Sequence, residues 1–178
     1  MRTKTLGRTS LAVGLVGLGT AFLGIPTPEQ ASVEYSEPGT RMDADLGVRT
    51  VHAALDAGTD LIDTAALCGA TASEAIIGRA LRERPDLAGG CIVTTKAGRL
   101  KDGYDYTADA VRRSVFASLE RLGLQRLEIV YIHDAMDVPM AAVLGPGGAL
   151  AALRALQAEG VVGHVGTAAN DPTTNVLY

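Results

Sequence analysis

Asp60-Leu61-Ile62-Asp63-Thr64-Ala65-Ala66-Leu67-Cys68-Gly69, followed by Thr71-Ala72-Ser73-Glu74, is the stretch whose reading decides the fold. Leu61 and Ile62 form a short apolar run that reads as a strand and delivers Asp63 to its carboxyl end. Thr71 and Glu74 stand at the Thr-x-x-Glu spacing of a capping box, so a helix is expected to open there. A strand that ends in a carboxylate and runs on into a helix is half of a βαβ unit. In such folds chemistry collects at the carboxyl ends of the strands.

Two later segments repeat the pattern. The run from Cys91 through Ile92, Val93, Thr94 and Thr95 delivers Lys96, and the run from Leu127 through Tyr131 and Ile132 delivers His133. Parallel strands would bring Asp63, Lys96 and His133 to one face. Taken singly, each has a structural reading: Asp63 as a turn cap, Lys96 as its ion-pair partner, His133 as a hydrogen-bonded core histidine. Three such residues at successive strand tips point to a shared site.

Outward from this centre the chain alternates strands and helices. Residues 3–6 and 10–13 flank Gly7-Arg8 and read as a β-hairpin, and residues 15–20 read as a first buried strand. Residues 25–43, with Pro26, Pro28 and Pro38, lack periodicity and read as a long loop. Val48, Val51, Ala54 and Leu55 mark a helix stopped by Gly58. A second helix runs from Thr71 to Pro85, and a third from its Thr107 cap to Gly123. A fourth carries Leu150, Leu153 and Leu156 and stops at Gly160. Residues 161–168 then form a fifth strand, with Asn170 just beyond it and the start of another helix at Pro172. The spacing of about 30 residues is that of right-handed βαβ units, which predicts an α/β fold with a parallel sheet.

Composition bounds the rest. With 178 residues, 47% of them hydrophobic, the chain suits one domain spanning 1–178. A net charge of -4 with scattered basic residues argues against nucleic-acid binding. The apolar run 11–24 follows Arg2, Lys4 and Arg8 but is broken by Gly14, Gly17 and Gly19 and is too short to cross a membrane, so neither a membrane span nor a secretory leader is expected. The pair Gly17-x-Gly19 lacks the third glycine of a dinucleotide fingerprint. Cys68 and Cys91, the two cysteines, have no metal-ligand spacing. They read as reduced thiols of a cytoplasmic protein, with no metal site.

The order Asp63-Thr-Ala, Lys96, His133 at strand tips resembles the aldo/keto reductase family, whose members carry a strand-tip Asp-Thr-Ala-x-x-Tyr-Gly, then Lys, then His. One departure stands out: Cys68 occupies the position of the family's catalytic Tyr. The resemblance implies a (β/α)8 TIM barrel with an N-terminal β-hairpin. A whole barrel takes about 250 residues, so this chain would be a partial barrel, truncated after about the first five strands and four helices. It implies an oxidoreductase using NADP or NAD to reduce a small-molecule carbonyl or to oxidise a sugar-type alcohol. It also implies catalytic roles for Asp63, Cys68, Lys96 and His133 and cofactor contacts for Thr20, Asp63 and Asn170. The family's loops for the adenosine phosphate follow strands seven and eight, so tight cofactor binding is not expected of five strands alone.

At Cys68 the residues leave two readings. A thiol reaches less far than a phenol. A neighbouring Lys96 ammonium would favour thiolate, from an ordinary thiol pKa of about 8.5, making Cys68 a nucleophile or redox-sensitive group. Otherwise Cys68 is inert wall. The alternatives to a reductase are a non-redox enzyme or pseudoenzyme reusing Lys96, His133 and Cys68, and a non-catalytic module that pairs, as a homo-oligomer or with a second half, through open sheet edges.

Overall fold

The computed structural model describes residues 2–25, 42–100 and 103–178. Most of the loop expected at 25–43 lies outside them. Strands β1 (Thr3–Thr5) and β2 (Ala12–Gly14) pair antiparallel, with Thr3 opposite Gly14. This is the expected hairpin, with the second strand starting later because Ser10, at φ 64, belongs to the turn.

A five-stranded parallel sheet follows, in the order β3 (Leu18–Gly19), β4 (Leu61–Asp63), β5 (Ile92–Ala97), β8 (Leu127–His133) and β9 (Val162–Ala168). Its order is the chain order, as the βαβ rhythm requires. Between β5 and β8 a small antiparallel ribbon, β6 (Arg99–Leu100) with β7 (Gly103–Tyr104), is inserted. The first parallel strand corrects the sequence reading: residues 15–20 were expected to be a buried strand, whereas β3 keeps only Leu18–Gly19 and Leu15 and Val16 are 56% and 63% exposed. Apolar character alone does not bury a residue.

The helices are α1 (Ala44–Asp56), α2 (Ala72–Glu83), the turn α3 (Pro85–Ala88), α4 (Ala108–Leu122), the short α5 (Met140–Leu144), α6 (Ala149–Ala158) and α7 (Pro172–Leu177). Thr107 caps α4 by accepting from Ala110 N, and Gly123 closes it in the left-handed region at φ 71. Contacts join α1 to α2, α2 to α4 and α4 to α6, a helix layer in chain order. The core lies between this layer and the sheet and includes Val51, Ile77, Val111, Leu122, Val130 and Leu153. At the α2–α4 crossing a side chain on Gly78 would lie 2.2 Å from the Arg121 carbonyl oxygen, so the glycine permits the approach.

The capping box expected at α2 does not form. Thr71 sits in the left-handed region at φ 81 and its side chain caps nothing. Glu74 turns inward and is wholly buried. Its carboxylate accepts from Arg121 Nε of α4 at 2.7 Å and from the Thr95 hydroxyl of β5 at 2.6 Å. A buried carboxylate demands charged or hydrogen-bonding partners, and that demand overrode the local cap.

Candidate active site

Parallel register sets the site. Gly19 stands opposite Asp63, Asp63 opposite Thr94, Lys96 opposite Tyr131, and His133 opposite Ala168. Side chains alternate along a strand, so Thr94 and Lys96 share a face of β5, as Tyr131 and His133 share a face of β8. The polar residues thus climb from strand to strand across the carboxyl end of the sheet.

Asp63 is held at both oxygens. Thr94 Oγ1 donates to Oδ1 at 2.8 Å and Lys96 Nζ donates to Oδ2 at 2.7 Å. Lys96 Nζ also donates to the Thr64 carbonyl at 2.8 Å. An ammonium has three N–H donors, so two of them are committed. At the β3 tip, Thr20 is buried and donates from Oγ1 to the Asp63 carbonyl at 2.8 Å. Behind it, the Ser73 hydroxyl lies within 3.1 Å of both the Thr20 carbonyl and the Thr64 hydroxyl.

Thr20, Asp63, Cys68, Lys96 and His133 all line one cavity of about 640 Å³. The expected convergence of the three strand-tip residues, with Cys68 beside them, is therefore present. Asn170 is not among the lining residues; it is exposed, and its backbone N–H donates to Asp134 Oδ1 at 3.2 Å.

Of the two readings of Cys68, its charge favours the inert thiol over the thiolate. Burial pushes its thiol up to about 11, against the opposing pull of the Lys96 ammonium. Lys96 acts in the expected direction, but loss of water around the sulfur outweighs it, so Cys68 is a neutral thiol at physiological pH rather than a thiolate. Cys91, also partly buried, is raised to about 11 by the same cause.

His133 is buried, and burial lowers its pKa to about 4, opposed by Asp134 and assisted by Lys96 and Arg99. The ring is therefore neutral above that range. Its backbone carbonyl accepts from Tyr106 Oη at 2.6 Å, and the Tyr106 ring packs on Gly98, which at φ +102 leaves space that a side chain would fill. Thr94, Ser73, Tyr106, Arg99 and Asp134 escaped the sequence reading. Only Thr94 had a legible signal, its two-residue offset from Lys96 on one strand.

Among the described residues no helix is long and apolar enough to cross a membrane, and no cluster of three His, Cys, Asp or Glu could hold a metal ion.

Comparisons with known proteins bear on the family and the fold. The profile of the Aldo/keto reductase family matches residues 16–176. The chain is 37% identical to L-galactose dehydrogenase from Arabidopsis thaliana over 74% of its own length and 37% of that protein. It is 30% identical to pyridoxal 4-dehydrogenase from Microbacterium luteolum over 94% of its length and 55% of that protein. All of it superposes on 53% of an aldo-keto reductase from Bacillus halodurans, solved in its holo form, with a TM-score of 0.77 and 24% identity. In each case the chain spans about half of its relative or less. A parallel sheet in chain order, with Asp63, Lys96 and His133 at successive tips, and a family match over nearly all of its residues place this chain in the aldo/keto reductase family.

Proposed function

We propose that the chain forms the first five strands of an aldo/keto reductase barrel, as a single domain over residues 1–178, and supplies the catalytic face of an NAD(P)(H)-dependent oxidoreductase. The substrate class is a small carbonyl compound or the corresponding sugar-type alcohol, a choice supported by the L-galactose dehydrogenase relative. The observation that carries this reading is the shared cavity of Asp63, Lys96 and His133. Its volume of about 640 Å³ falls in the usual range of small-molecule sites.

Thr20 and Asp63, which line this cavity, would hold the nicotinamide end of the cofactor; Asn170 stands outside the lining. When bound, the dinucleotide supplies or accepts a hydride. Lys96, braced by Asp63 and Thr64, keeps one N–H for a substrate oxygen. His133, neutral, offers a hydrogen bond without bringing a second cation against Lys96. Cys68 holds its proton in place of the family's phenol and reaches less far. Its neutral, buried thiol favours a second reading, in which the pocket binds carbonyl compounds without redox turnover.

The two reduced thiols suit the cytoplasm, and the outer edges of β3 and β9 suit pairing with further strands, whether from a second half of the barrel or from a second copy. Titrating the isotopically labelled chain with NADPH, NADH and an aldose, each alone and together, tests the proposal. Resonance shifts centred on Thr20, Asp63, Lys96 and His133 with a nicotinamide dinucleotide are expected. Shifts with the aldose alone support the pocket without redox chemistry, and shifts confined to other surfaces overturn both readings.

A further inference from the structure

The residue after His133 is built as a part, not as a loop. Asp134 is buried and sits in the left-handed region at φ 48 and ψ 46, which few side-chain-bearing residues adopt and Asp and Asn tolerate best. Several contacts hold it there. Its backbone N–H donates to the Ala168 carbonyl of β9 at 2.8 Å. Its Oδ1 accepts from Asn170 N at 3.2 Å, and its Oδ2 is ion-paired with Arg99 of the β6–β7 ribbon. The same Oδ2 lies 3.7 Å from His133 Nε2, too far for a hydrogen bond but close enough to act on the ring's charge. His133 Nδ1, buried, has no hydrogen-bond partner among the described residues.

We propose that Asp134 is a positioning residue for His133, and that Arg99 of the β6–β7 ribbon holds the Asp134 carboxylate where it steers the imidazole without pairing fully with it. Each ring nitrogen gives part of the reason. A proton on Nδ1 would be a buried donor with no acceptor among the described residues, which is unfavourable. A proton on Nε2 faces the Asp134 carboxylate instead. The arrangement therefore selects the Nε2–H tautomer and leaves Nδ1 as the unprotonated nitrogen.

Arg99 sets how far this goes. The charged groups around the ring are Asp63 from β4, Lys96 from β5, Arg99 from the ribbon and Asp134 itself, with the uncharged Tyr106 hydroxyl on the His133 carbonyl. Burial is the main cause that keeps the ring neutral, and with Arg99 engaged the Asp134 charge that opposes burial is partly compensated. With Arg99 displaced, that compensation is lost while the Asn170 N–H on Oδ1 remains, and a proton on the ring becomes more favourable. The ribbon lies at the carboxyl end of β5, so its placement is transmitted to His133 through a single carboxylate. This inference draws its functional meaning from the reading of His133 as a substrate-facing group, but its structural content is independent of turnover.

Ring ¹⁵N shifts of the chain, and their pH dependence, test it. The expected result is the Nε2–H tautomer in the wild type, with a mixture in Asp134→Asn, a substitution that keeps shape and suits a left-handed backbone. An Nδ1–H ring in the wild type, or an unchanged tautomer in Asp134→Asn, overturns the proposal without recourse to any other variant. Arg99→Gln is expected to raise the proton affinity of His133 about tenfold, one pH unit. In the Asp134→Asn background most of that rise should vanish, because Arg99 acts through the carboxylate. No rise, or the same rise in both backgrounds, likewise overturns it. Failure of NADPH to perturb the cavity would count against the oxidoreductase reading and leave these results untouched.

Discussion

Lys96 Nζ lies 2.7 Å from Asp63 Oδ2 although the two residues are not opposite each other in the sheet: Asp63 is paired with Thr94, and Lys96 is two residues further along β5. The offset lets one carboxylate be gripped from two heights, by the Thr94 hydroxyl at Oδ1 and by the ammonium at Oδ2. An ion pair between flexible side chains is worth little when both ends are free to move. Here the Lys96 end is largely enclosed and both carboxylate oxygens are engaged, so the charge is fixed in direction as well as in place. That fixed ammonium is the leading influence holding down a Cys68 thiol that burial otherwise raises.

Cys68 should therefore alkylate slowly at neutral pH and no faster than Cys91, since both thiols are raised to about 11. Lys96→Met should push the Cys68 midpoint higher still while leaving Cys91 unchanged. Site-resolved mass spectrometry of iodoacetamide labelling against pH reads both. Rapid labelling of Cys68 at neutral pH would mean a thiolate, and with it an open pocket around the sulfur.

Stability should fall as pH drops from about 6.5 toward about 4, the interval between an ordinary histidine and buried His133. In that window the unfolded chain binds a proton on this ring that the folded chain refuses, so each step down in pH favours unfolding. Above pH 6.5 neither state carries the proton and the contribution is constant. Urea midpoints at successive pH values check this, and His133→Gln should flatten that part of the curve.

Arg121→Met should cost about 3–5 kcal/mol, because it strands the Glu74 carboxylate, wholly buried, without its cation. The double change Glu74→Gln with Arg121→Met should recover much of that loss. Thermal unfolding followed by circular dichroism separates the two variants, and equal losses would mean that the pair is not coupled.

Gly98→Ala should destabilise the site end of β5 more than the sheet as a whole. The new methyl would sit 2.4 Å from the Tyr106 ring at φ +102, so both the backbone and the Tyr106 hydroxyl bond to His133 must shift. Hydrogen exchange is expected to quicken around Tyr106 and His133 and to stay slow in α2 and α4.

The parallel order of the sheet and the three strand-tip residues were legible in the amino-acid sequence because both follow from local pattern. A short apolar run sets a strand, its end sets which residue reaches the rim, and the helix between forces the next strand to run the same way. Asp63, Lys96 and His133 needed no long-range information to be placed together. The Gly123 and Gly160 stops were legible for the same reason, and both glycines adopt positive φ, at 71 and 77.

What only the tertiary structure decided is the state of those groups and the identity of their supports. Glu74 carried the spacing of a helix cap yet serves a buried ion pair with Arg121, 47 residues along the chain. Asp134 and Arg99 meet across 35 residues, by way of a ribbon that no periodicity announces. Cys68 stands near a cation in sequence logic, but its charge depends on how much water reaches the sulfur, and that is settled by the packing of Ala65, Leu67 and Ala21 around it. Local chemistry writes which residues arrive at the rim; burial and partners from distant segments determine whether each arrives charged, neutral or held.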